Sequence, residues 1–150
     1  MSDLITPDFV DLDLRAADRH EVAFTLASRL ASDGRVTDLA GFLADVRARE
    51  DQMPTGIEGG IGIPHARSAH VTEPSLAFGR STAGIDFGAE DGPADLVFLI
   101  AAPAGGDTDH LTILASLARR LVHASFRQAL RDATDPQAVV DLVNKEVLGR

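Results

Sequence analysis

The chain of 150 residues has a formal net charge of −9, with 45% hydrophobic residues, 25% charged residues and no cysteine. That is long enough for one domain with a sizeable core, in a composition ordinary for a soluble globular protein. The acids repel nucleic acid and anionic lipid and favour a partner with a basic face, and the missing cysteines exclude disulfides, thiolate metal sites and cysteine nucleophiles.

In chain order, "FVDLDL" (9–14) alternates apolar and acidic residues, the period of a half-buried strand. After Asp18, Val22, Leu26 and Leu30 recur at helical spacing, and Gly34 closes that helix. Thr37 reads as the N-cap of a second helix whose stripe is Leu39, Phe42, Leu43 and Val46, ending near Arg49 and Glu50. Short apolar runs follow: "GIGI" at 60–63, "SLAFGRS" at 75–81 and "ADLVFLIAAP" at 94–103. The last has no polar face, as expected of a central strand buried on both sides. The tail is helical. "HLTILASLARRLVH" is followed by "SFRQALRDA" and by "DPQAVVDLVNKEVL", the last with Asp135 as N-cap and Pro136 at the first helical position. Helices at both ends around several strands predict one α/β domain over residues 1–150, with a mixed β-sheet flanked by helices.

No basic segment leading an apolar run opens the chain, and no apolar stretch approaches the roughly 20 residues of a membrane span. The expectation is a cytoplasmic protein. No basic block or aromatic-plus-basic pattern suggests nucleic acid binding.

Chemistry concentrates in "TGIEGGIGIPHARSAH" (55–70). Pro64 fixes the backbone ahead of His65 and pushes Ile63 into an extended conformation. The glycines at 59, 60 and 62 remove side chains, so that another backbone or a partner protein can approach, and His65 would sit at a strand end. Either His65 is an idle turn histidine, or the segment is a platform that positions one imidazole. The stretch lacks the Lys-Ser/Thr of a phosphate-binding P-loop. His110 falls in the first turn of a helix, on the stripe of Leu114, Leu117 and Leu121, with Asp107 or Thr108 as cap. There it is a cap-turn residue or a neighbour of a bound anion. Arg49, at a helix C-terminus beside the glycine-rich loop, compensates the helix dipole or serves a site. His20 and His123 read as exposed or structural, His123 at a helix C-terminus. His65 and His70 match no metal-ligand spacing, so neither a metal nor a cofactor is expected.

Taken together, "RED…TGIEGGIGIPHAR" and the later "DHLTILASLARRL" resemble the enzyme IIA components of the fructose–mannitol class in the bacterial phosphoenolpyruvate-dependent sugar phosphotransferase system. The matching residues are Arg49-Glu50, Thr55-Gly56, Gly60 through His65, and His110-Leu111. The likeness spans nearly the whole chain. Glu58 departs from it, standing where the family often has glycine or a small polar residue.

The resemblance implies a mixed sheet flanked by helices and a phosphocarrier. His65 would take a phosphoryl group from phospho-HPr and pass it to a cysteine of enzyme IIB, for sugar uptake through the membrane transporter IIC. A histidine nucleophile must be neutral, as most imidazole is at pH 7. Phosphoryl transfer proceeds through a loose transition state with charge on three oxygens, so positioning and electrostatics dominate. In that scheme His110 donates to the phosphoryl oxygens and Arg49 supplies a fixed positive charge. Ile61, Ile63 and Pro64 form an apolar collar for a docking protein. Two other readings stay open: a nitrogen-related regulatory IIA phosphorylated on the same histidine, and a non-catalytic ligand-binding module.

Overall fold

A computed structural model describes residues 3–105 and 109–149, without the side chains of residues 109–111. A short 3-10 turn (Pro7–Phe9) leads into β1 (Val10–Asp11). Helices α1 (Arg19–Ser32) and α2 (Leu39–Gln52) follow, then β2 (Gly56–Ile57), β3 (Ile61–Gly62), β4 (His65–Ser68), β5 (Ser75–Ile85) and β6 (Ala94–Pro103). Three helices close the order: α3 (Asp109–Leu121), α4 (Ala124–Asp132) and α5 (Pro136–Glu146). The strands form one mixed sheet, β1-β5-β6-β3-β2, with β4 also paired to β6. Helices α1 and α2 lie against β5 and β4, α3 against β6 and α5 against β1. The expected α/β architecture is therefore present.

Strand β6 spans the residues its apolar run predicts, and Leu96 through Ala101 are all buried. Phe98 in β6 meets Phe78 in β5 with ring centroids 4.9 Å apart, in a tilted pair at the middle of the core. The first strand is shorter than the alternation of 9–14 suggests. The Asp11 side chain accepts the Asp13 N–H at 3.0 Å, an Asx turn that leads the chain out of the sheet.

Helix ends follow the capping rules. Asp18 accepts the N–H groups of His20 and Glu21, and the Glu21 N–H above all holds its carboxyl below the usual carboxylate range. Asp135 caps α5 ahead of Pro136 as expected. At α2 the cap is Asp38, not Thr37, and it accepts the Gly41 N–H at 3.1 Å. Thr37 is engaged elsewhere, its backbone N–H and hydroxyl both donating to the His70 carbonyl. His123 stands at the N-cap of α4 as well as just beyond α3, so its expected place at a helix C-terminus is only half of its setting. Among the described residues, no helix is long and apolar enough to cross a membrane.

Candidate functional site

The segment around His65 is one line of backbone interrupted by a proline. Ile61 pairs with Leu96 and His65 with Ile100, both parallel, so β3 and β4 keep a single register along β6. Pro64 has no N–H to give, but its carbonyl accepts the Ile100 N–H at 3.0 Å, which carries the alignment across the break. His65 consequently opens a strand instead of ending one. Alternation hid β4, because "HARS" has no large apolar residue to mark its inner face; Ala66 and Ser68 are buried while His65 and Arg67 are more open.

The glycines are filled from within. A Cβ on Gly62 would lie 2.6 Å from the Phe87 ring, and one on Gly56 would lie 2.7 Å from the Phe87 carbonyl. Gly59 and Gly60 have φ of +98° and +80°, the left-handed region the turn between β2 and β3 requires. The Arg127 side chain and the Asp95 carboxylate occupy the space beside them. The expectation that these glycines clear an approach for a partner is thus corrected: the protein's own side chains hold that space. The apolar collar is corrected likewise. Ile61 and Ile63 are buried in the core, and Pro64 is buried beside Glu50 and Phe87.

Beyond Pro64 a cleft opens. His65 and Arg67 of β4 line a cleft of about 520 Å³ with Asp45, Arg49 and Gln52 of α2 and Leu114 of α3. Helical geometry separates two neighbours here, since successive side chains point about 100° apart. Arg49 faces the cleft and its Nη1 donates to the Met53 carbonyl at 3.1 Å. Glu50 turns inward and is 6% exposed, where it accepts the Thr55 N–H at 2.6 Å and the Thr55 hydroxyl at 2.7 Å. Arg19 stands 3.6 Å from the same carboxylate. Glu50 and Thr55 therefore fix the turn leading out of α2, which sets Arg49 against the strand. The Ser68 hydroxyl donates to Asp45 at 2.6 Å, a second tie between β4 and α2.

The His65 Nδ1 lies 2.8 Å from the Ile63 carbonyl, which only accepts, so Nδ1 carries a proton; in the neutral ring that assigns the lone pair to Nε2. Arg67, not singled out in the sequence reading, brings a second guanidinium to the cleft and donates from Nη2 to the Ala104 carbonyl at 3.0 Å. Its signal was its position two residues beyond His65, which in a strand means the same face. The His110 side chain, expected to complete the set, lies outside the described residues, as do the proposed caps Asp107 and Thr108. Leu114, four residues after His110, does line the cleft.

The sequence matches the family described as "Phosphoenolpyruvate-dependent sugar phosphotransferase system, EIIA 2" over residues 3–146. It is 40% identical over 145 residues to the fructose-specific EIIA component of Haloferax volcanii, covering 95% of this chain and 94% of that protein. Against the fructose-specific EIIABC component of Bacillus subtilis it is 35% identical over 146 residues, 97% of this chain but only 23% of that longer protein. Among solved structures, the nitrogen regulatory protein IIA-Ntr of Neisseria meningitidis superposes with a TM-score of 0.85 at 26% identity, covering 93% of this chain and 96% of that one. A match over nearly the full length, with a close relative of the same size, places this chain in the EIIA 2 family of the phosphoenolpyruvate-dependent sugar phosphotransferase system.

Proposed function

We propose that His65 is the phosphoacceptor, receiving its phosphoryl group from phospho-HPr and yielding it to a cysteine thiolate of enzyme IIB. The observation that carries this is the contact of His65 Nδ1 with the Ile63 carbonyl at 2.8 Å, which in the neutral ring makes Nε2 the nucleophilic nitrogen. In the first step a P–N bond to Nε2 forms as the P–N bond of the donor breaks, and the donor imidazole leaves with that electron pair. The His65 ring becomes cationic, and the Ile63 carbonyl stabilises the Nδ1–H as charge develops. Arg49 and Arg67 supply positive charge for the three phosphoryl oxygens, which carry the charge of a loose transition state. His110, sharing a helix face with Leu114 by its four-residue spacing, serves as a further donor. In the second step the thiolate attacks phosphorus, and the ring returns to its neutral form.

The fructose-specific name of the Haloferax volcanii relative favours a role in sugar uptake, and the EIIABC name of the longer relative favours B and C components as partners. The likeness to IIA-Ntr supports a second reading, in which the same phosphohistidine regulates other proteins. Incubation with phosphoenolpyruvate, enzyme I and HPr tests the first step. Acid-labile phosphate is expected on the wild type and none on His65→Ala; equal labelling of both would remove His65 from its role. Adding a purified fructose-class IIB separates the two readings. Passage of label to its cysteine supports transport, and retention on His65 supports regulation.

A further inference from the structure

At the other end of the β3 line lies a cleft of about 700 Å³, bordered by the turn between β2 and β3, by residues 88–91 and by the end of α3. None of its lining residues belongs to the His65 cleft. Helix α3 joins the two: Leu114 borders one and Leu121 the other, about 10 Å apart along the axis. Two aliphatic side chains stand open at this second cleft, Ile57 at 38% and Val122 at 75% exposure. Around them Glu58, Glu90 and Asp91 are exposed acids.

The cation among the lining residues does not offset these acids toward solvent. Arg127 turns Nη1 onto the Leu121 and Val122 carbonyls, at 2.6 and 3.0 Å, and so closes the C-terminus of α3. The turn itself is held firmly. Asp91 accepts the Gly59 N–H at 2.9 Å, and Arg131, paired with Asp95 at 2.7 Å, donates to the Gly59 carbonyl. Ile57 and Glu58 are therefore presented on a fixed ledge. Glu58 is also where the sequence departs from the pattern it otherwise follows.

We infer that this cleft docks a basic, aliphatic-anchored segment of a partner protein, at a place that leaves the His65 cleft accessible. Aliphatic anchors flanked by charge of one sign fit an amphipathic segment of the opposite sign. A second copy of this chain, with its net charge of −9, does not supply that sign. The segment would hold a partner in either phosphorylation state.

The probe is a 12-residue peptide of alternating Lys and Leu pairs, titrated into the isotopically labelled full chain. Amide shifts are expected at Ile57, Glu58, residues 89–91 and Val122, with residues 65–67 unmoved. Glu58→Lys combined with Glu90→Lys should weaken binding tenfold or more, and Val122→Asp by a similar factor. Reversing two remote exposed acids, Asp13→Lys with Asp141→Lys, changes net charge equally and should weaken it less than threefold. Equal weakening by both pairs means nonspecific attraction and overturns the inference. Shifts centred on His65, or a dimer by sedimentation that Val122→Asp dissolves, would overturn it too.

Discussion

The two halves of the motif around His65 do different work. Before Pro64, each glycine is matched to one of the protein's own groups: Gly62 to the Phe87 ring, Gly56 to the Phe87 backbone, Gly59 to Arg127 and Gly60 to Asp95. After Pro64, His65 and Arg67 look outward, into the cleft they share with Arg49. The glycines of the first half pack and the second half carries the proposed chemistry, although in the sequence they form one uninterrupted signature. A motif can therefore be specific to a function while its glycines serve the packing that places one side chain.

The sharpest way to break that division is at Gly62. Adding a methyl group 2.6 Å from the Phe87 ring overpacks a filled core, and Gly62→Val should cost about 3 kcal/mol, near the upper end for such changes. Urea unfolding of the purified variants measures it. Because the two residues touch, Gly62→Ala with Phe87→Leu should lose less than the sum of the single losses. A Gly62→Ala protein as stable as wild type but unable to meet phospho-HPr would reverse the assignment, making the glycine a clearance for the partner.

Glu50 tests the boundary between the halves. It adjoins Arg49 yet faces inward, with two hydrogen bonds from Thr55. Replacing its charge in Glu50→Gln should cost about 2 kcal/mol, the range for hydrogen bonds to a buried charged group. The folded fraction should still accept phosphate at close to the wild-type rate. Normal stability with lost labelling would instead move Glu50 into the chemistry.

Why part of this was legible and part was not follows from range. Strand β6, the Asp18 and Asp135 caps and the helical tail announce themselves through neighbours within a few residues. The spacing that singles out His65 and Arg49 is local too, and the fold sets both on one cleft. The purpose of Gly62 is not local, because its reason is Phe87, 25 residues on and across the sheet. Strand β4 was hidden for another reason. Its inward residues are Ala66 and Ser68, and burial of small side chains leaves no hydrophobic period to read. The cap at α2 was misplaced by one residue since Thr37 and Asp38 both suit that position, and the bond from Thr37 to His70 that decides between them is a tertiary contact.

The smallest effects sharpen the outward half. Arg49 and Arg67 reach the cleft from α2 and β4, and both donate to backbone carbonyls in exposed bonds, at Met53 and Ala104. Losing such a bond should change stability by less than about 1 kcal/mol. Losing the charge should slow phosphoryl acceptance about tenfold, equivalent to about 1.4 kcal/mol of transition-state stabilisation. Single-turnover labelling of Arg49→Ala and Arg67→Ala measures each, and the double variant measures their relation. If the two guanidiniums hold the same phosphoryl oxygens, the losses will not add, because either one partly replaces the other. Additive losses would mean that one arginine serves the phosphoryl group and the other the docking protein. A rate unchanged in both would leave the chemistry to His65 and to groups other than these two guanidiniums.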